Sequence, residues 1–141
     1  MTRDDVLRFF DAQREAWASR DPEALTAAHH EQGTIISPIF RTVAGRKEIL
    51  DSYRALFAMF PDWTYTGDPV MVDGLRVAQP FQVEATHGGD FMGVPGSGRR
   101  VQIQGVRVFE MRDGLIGFEQ RHYDFTGLLI QAGILRGKPA A

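Results

Sequence analysis

The sequence predicts an α+β domain in which a curved antiparallel sheet wraps around N-terminal helices to form a cone with an internal pocket. Three observations predict it. Apolar residues in the first sixty positions recur at helical spacing, as in Val6, Phe9, Phe10, Gln13 and Trp17. From Trp63 onward the chain reads as long strands separated by the turn dipeptides Asp73-Gly74 and Asp113-Gly114. Helices precede strands rather than alternate with them, which implies helices packed on one sheet face instead of a parallel βαβ sheet.

The elements follow in order. Thr2 and Asp5 fit a capping box that opens a helix ending near Ser19. Asp21-Pro22, an N-cap followed by a proline tolerated at the first helical position, starts a short helix to about His29. Thr34-Ile35-Ile36 reads as a strand that Pro38 interrupts. Gly45 leads into a third helix, Arg46 to about Met59, whose apolar face is Ile49, Tyr53, Leu56, Phe57 and Phe60; Pro61 stops it. Trp63–Thr66 and Val70–Val72 read as one strand broken at Pro69, and Leu75 to about His87 as its return. Gly88–Gly98 is a glycine-rich loop, Val101–Met111 the third long strand and Leu115–Asp124 the last. A helical turn, Thr126–Ala132, ends at Gly133. Residues 1–135 are expected to form a single domain, with 136–141 as a tail.

Composition sets outer bounds. The 141 residues are 43% hydrophobic and 24% charged, ordinary values for one globular domain. A net charge of -2 gives no basic surplus for nucleic acid or an anionic membrane. There are no cysteines, which excludes disulfides, thiolate nucleophiles and Cys-ligated metal and suits a cytoplasmic protein. The start lacks a signal-peptide pattern, and no stretch reaches the roughly 18 apolar residues of a membrane span. His29-His30-Glu31 lacks zinc-motif spacing and reads as a solvated turn; no metal and no cofactor is expected.

Gly88-x-x-Phe91-x-Gly93-Val94-Pro95, then Gly98-Arg99-Arg100-Val101, resembles the strand-loop-strand signature of SnoaL-like polyketide cyclases. So do Asp113-Gly114-x-Ile116 and Asp124-x-x-Gly127-Leu128-Leu129-x-Gln131-x-Gly133, the opening helix pair, and Val43-x-Gly45-Arg46. The resemblance spans nearly the whole chain. It implies the cystatin-like cone shared with ketosteroid isomerase-like and nuclear transport factor 2-like proteins. It also implies cofactor-independent acid/base chemistry on a small hydrophobic, polyketide-like carbonyl compound, such as cyclisation or isomerisation. In that family an Asp on the last strand is the acid/base, with a His on the preceding strand. Aligned on Asp113-Gly114 and Gly127, these positions fall on Arg121 and Arg107.

The residues themselves leave several readings open. Strand alternation puts Ile116, Phe118, Gln120, His122 and Asp124 on one face, and the apolar pair at its start marks that face as inward. His122 and Asp124 are then the candidate catalytic residues, with an N-cap as the other role for Asp124. On the preceding strand, Arg107 shares a face with Val101, Ile103 and Phe109, and a buried arginine needs a carboxylate or an anionic ligand. Gln104 represents the opposite face, should that one line the pocket. Arg121 is a surface charge, a partner of Glu119 or Glu110, or an anion anchor. His87 lines the pocket mouth or ends a strand. With Trp17, Tyr53 and Phe57 these form the candidate substrate-binding set. Three alternative functions remain: a non-catalytic binder of a small hydrophobic ligand, an adaptor using the outer sheet face, and an epoxide- or lactone-opening hydrolase. The last needs a second inward carboxylate from Glu84 or Glu119. Apolar residues on both strand faces predict a homodimer through the outer sheet face.

Overall fold

The computed structural model describes residues 1–140; the last residue of the expected tail, Ala141, lies outside them. Four helices and seven strands follow one another as α1 (Arg3–Ala18), α2 (Pro22–Ala27), β1 (His29–Ser37), β2 (Arg41–Ala44), α3 (Gly45–Met59), β3 (Thr64–Gly67), β4 (Met71–Asp73), β5 (Arg76–Thr86), β6 (Arg100–Arg112), β7 (Leu115–Tyr123) and α4 (Phe125–Gln131).

Local chemistry sets the helix starts. The Thr2 hydroxyl accepts the Asp5 N–H and the Asp5 carboxylate accepts the Thr2 N–H, so two orphan donors of α1 are satisfied reciprocally. Asp21 accepts the N–H groups of Glu23 and Ala24 ahead of α2. Gly45 adopts φ +83°, open to glycine, where the chain turns from β2 into α3.

The sheet runs β2-β1-β7-β6-β5-β3, with β4 also on β5. It is mixed, not wholly antiparallel as expected, because β1 lies parallel to β7. Strand β1 is also far longer than Thr34–Ile36 and begins at His29, which the sequence reading gave to a helix end. The period-two signal is hidden there because His29 and Gly33 are inward positions without an aliphatic side chain. The Trp63–Val72 segment forms two strands, β3 and β4, both paired with β5.

Helices α1–α3 cover the concave face. The main core gathers Trp17, Leu25, Ile49, Tyr53, Leu56 and Phe60 from the helices with Phe81, Val83, Val101 and Ile103 from the sheet. A second cluster, Val6, Phe10, Val77, Phe109, Met111 and Ile116, closes the other end.

One irregularity decides which residues of β7 face inward. Met111 pairs with Ile116 but Glu110 pairs with Phe118, so β7 carries an extra residue, Gly117, opposite a single step of β6. Such a bulge shifts the alternation by one. Ile116 faces the core; after the bulge Glu119, Arg121 and Tyr123 do so, while Phe118, Gln120 and His122 lie on the outer face. A Cβ at Gly117 would come within 2.7 Å of the Arg112 Cβ, which keeps the position small.

Candidate functional site

Inside the cone, a charged cluster sits among aromatic rings. Arg107 on β6, opposite Arg121, and Glu119 on β7, opposite Phe109, are diagonal neighbours and essentially inaccessible to solvent. Their contact is bidentate: Arg107 Nε donates to Glu119 Oε2 at 3.0 Å and Nη2 to Oε1 at 3.1 Å. Arg121 Nε donates to the same Oε2 at 2.6 Å. Arg107 Nη1 donates to the Tyr65 hydroxyl at 3.0 Å, which in turn donates to Gln79 Oε1 at 2.7 Å. The Arg107 guanidinium also lies over the rings of Trp17, Tyr65 and Phe109, 4.6–5.3 Å from their centroids.

A second branch runs to His29. Arg121 Nη2 donates to the Tyr53 hydroxyl at 3.1 Å, and that hydroxyl lies 2.9 Å from His29 Nε2. The direction of the Tyr53–His29 hydrogen bond follows the imidazole tautomer, because the phenol oxygen can accept from Arg121 whichever way its own proton points. Burial pushes His29 down to about 4, against the pull of Glu119, and the imidazole is neutral at pH 7. Burial pushes Tyr53 up to about 12. Burial opposes the charge of Glu119, but Arg107 and Arg121 outweigh it and hold the carboxyl well below the usual carboxylate range. Two cations, one anion and a neutral imidazole leave the cluster with a net charge of +1.

Beside the cluster is a cavity lined by Trp17, Ser37, Phe40, Trp63, Arg121 and Tyr123 among others. Its free volume is about 20 Å³ in this conformation, room for one water-sized group. The aromatic side chains that the sequence reading treated as pocket wall fill most of the interior. Trp17 and Tyr65, stacked with centroids 4.6 Å apart, also line a groove of about 540 Å³ between α1 and the β3–β4 segment. Displacing that pair would join the two spaces.

Of the residues predicted from sequence, Trp17, Arg107 and Arg121 line the cavity. Tyr53 is buried behind Arg121 and does not reach the cavity wall. Phe57 is half-buried and packs edge-on against Trp17 without reaching the cavity. His87 is buried between Phe60 and Phe91, its Nδ1 2.9 Å from the Ser97 hydroxyl, and is not part of the cavity wall. Three placements need correction. His122 is exposed on the outer face, because the Gly117 bulge inverts the alternation that was to bring it inward. Asp124 is exposed and caps α4, accepting the Gly127 N–H at 2.9 Å. Gln104 is exposed on the outer face of β6. Glu84, proposed as a second inward carboxylate, is also exposed and sits beside Arg100 and Gln102, so Glu119 is the one member of that pair inside.

Sequence reasoning missed the central roles of Glu119, His29, Tyr65 and Trp63. A signal for Glu119 was present: Arg107, correctly placed inward, required a carboxylate, and across the β6–β7 hairpin Glu119 is within reach only if β7 carries a bulge. Among the described residues no group of three or more His, Asp or Glu side chains is placed to hold a metal ion. Among the described residues no helix is long and apolar enough to cross a membrane.

Comparison with known proteins places this architecture. The profile of the SnoaL-like domain matches residues 6–117. TsrD from Streptomyces laurentii shares 24% identity with a TM-score of 0.82, over 96% of this chain and 99% of that one. IdmH from Streptomyces antibioticus, a proposed polyketide cyclase, shares 27% at a TM-score of 0.73, over 89% of this chain and 96% of its own. A proposed SnoaL-like polyketide cyclase from Jannaschia sp. CCS1 shares 24% at 0.79, over 94% and 92%. No curated protein matches the sequence.

Proposed function

Because the chain belongs to the SnoaL-like domain family, we propose that it acts without a cofactor on a small hydrophobic carbonyl compound, with Arg121 holding the negative charge that develops on the carbonyl oxygen. The observation that carries this reading is the net positive, buried cluster ending at the cavity in Arg121. Its Nε and Nη2 are engaged by Glu119 and Tyr53, and its Nη1 has no partner among the described residues. A preorganised cation in a dry site stabilises an enolate far more than water-exposed charge does.

The same geometry narrows the reaction. Glu119 has both oxygens committed to arginines and is held low in pKa, which makes it a poor base. The chemistry supported is one in which the substrate C–H is already acidic, as between two carbonyls. Its proton leaves to water, the electron pair moves onto the carbonyl oxygen, and ring closure or isomerisation proceeds from that enolate.

The test uses benzoylacetone, a 1,3-diketone whose enolate absorbs in the ultraviolet. Bound to the protein it should ionise at least about tenfold more readily than in water, equivalent to about 1.4 kcal/mol, and Arg121→Met should abolish the gain. Equal ionisation of bound and free compound would overturn the proposal and favour a non-catalytic binding protein.

We also propose a homodimer through the outer sheet face, where Ala78, Val106, Val108 and Phe118 are half-buried without a covering element. Light scattering at micromolar concentration should give twice the mass of one chain, and Val108→Glu should halve it. A wild-type monomer would refute this assembly.

A further inference from the structure

Outside the cone, α1 and the β3–β4 segment part to leave the groove of about 540 Å³. Its walls are apolar: Leu7 and Phe10 of α1, and the stacked Trp17–Tyr65 pair. Its polar groups are chiefly acceptors, from Asp11, Gln13, Asp68 and Gln79, and Arg14 is the one cation among the lining side chains. Arg14 Nη2 donates to Asp11 at 3.2 Å. Asp68 is left as the unmatched carboxylate, and the lining carries a net charge of -1. The backbone fixes Asp68 in place. Its N–H donates to the Pro80 carbonyl at 2.9 Å, and its own carbonyl accepts Gln79 Nε2 at 3.0 Å.

Gln13 is an independent sign of a ligand. It is 6% exposed, and its Oε1 is buried with no donor among the described residues. A buried acceptor left unpaired costs stability and calls for an explanation. A half-turn of the carboxamide exchanges oxygen and nitrogen, so the acceptor reaches the groove from either place. Arg107, behind the Trp17–Tyr65 pair, does not repel a cation here, because Glu119 matches its charge at close range. The excess charge of the buried cluster is on Arg121, which lines the cavity and not the groove. No three His, Asp or Glu side chains among the described residues stand ready to hold a metal ion, and the apolar walls suit an organic body.

We infer that this groove binds an organic ammonium ion, with the Asp68 carboxylate and the Gln13 carboxamide oxygen accepting its N–H groups and Phe10 and Trp17 enclosing its apolar body. A protonated amine brings three donors and a positive charge, and its bond to a carboxylate is charge-assisted. An alcohol of the same shape brings one donor and no charge, and an anion meets repulsion from Asp68. The site stands outside the cone and does not rest on the enolate chemistry.

The probes are 2-phenylethylammonium, 2-phenylethanol and 3-phenylpropanoate, which share one body and carry a cation, a neutral hydroxyl and an anion. Affinities are read by NMR titration of the ¹⁵N-labelled full chain. The ammonium ion should bind about tenfold more tightly than the alcohol, the worth of one hydrogen bond to a charged group, and the carboxylate more weakly than both. The ammonium ion should move the backbone amide signals of Gly67 and Asp68 and the side-chain amide of Gln13. Asp68 is exposed, so Asp68→Asn removes the charge without touching the core; it should erase the preference for the cation and leave the alcohol's affinity unchanged. Gln13→Met should weaken the ammonium ion about fivefold, the worth of one neutral hydrogen bond. Equal affinity for ammonium ion and alcohol, a preference that survives Asp68→Asn, parallel loss of both probes in that variant, or shifts confined to the cavity residues Ser37 and Tyr123 would each overturn the inference. So would the failure of all three probes to bind at millimolar concentration.

Discussion

Strand β7 carries two sets of polar residues that differ by one step of phase. Glu119 and Arg121 are built into a buried network with Arg107, Tyr53 and His29, whereas His122 and Asp124 meet solvent and a helix N-terminus. By residue type the second set looks the more chemical, an imidazole beside a carboxylate. By environment the first set has what a site needs: dehydration, fixed geometry and an uncompensated charge. Residue type proposes a role, and the phase of the strand decides it.

The comparison can be broken at several points. The largest effect belongs to Glu119. Its removal strands two buried arginines, so Glu119→Gln should cost about 3–5 kcal/mol in urea unfolding. A loss below about 1 kcal/mol would mean that water already solvates the cluster. His29 comes next. Its folded pKa, about 4, lies below its ordinary value of 6.5, so the unfolded chain binds the extra proton between those values. Stability should therefore be full above about pH 6.5 and fall as pH drops toward 4, by an amount on the order of a few kcal/mol. Glu119 adds a loss in the same direction as pH falls below the ordinary carboxylate range. His29→Gln should flatten the pH dependence between 6.5 and 4; an unchanged slope would assign it to other groups.

Gly117 tests the phase itself. Gly117→Val should destabilise by about 1–3 kcal/mol through the contact with Arg112, and fluorescence of Trp17, which lies beside Arg107 and Arg121, should change as the inward residues shift. A neutral substitution would show that the bulge tolerates a side chain. Asp124→Ala should cost about 1 kcal/mol, the worth of an N-cap, with binding in the cone unaltered. His122→Ala should stay within about 0.5 kcal/mol.

Much of the fold was legible because its signals are local. The capping box at Thr2, the Asp21-Pro22 start, the Asp-Gly turns and the period-two pattern of β6 each act within a few residues, and each is present in the structure. The parallel pairing of β1 with β7 was not legible, since it joins residues 84 to 87 positions apart and leaves no local mark. Arg107 was placed correctly because its neighbours Ile103 and Phe109 keep strict alternation. Glu119, Arg121 and His122 were misassigned in phase because alternation was extended through Gly117 from Ile116, and a glycine in a strand is where a bulge belongs. His29 was read as solvated because nothing in its immediate sequence shows the Tyr53 hydroxyl that α3 brings to it.

The central claim is that the interior face of β7, not its outer face, is where a ligand is met. It is tested most directly by titrating benzoylacetone into Arg121→Met and into a His122→Ala/Asp124→Asn double variant, side by side with the parent protein, and following enolate absorbance. The account predicts that the double variant keeps the parent's ionisation gain and that Arg121→Met loses it. Retention in Arg121→Met together with loss in the double variant would contradict it.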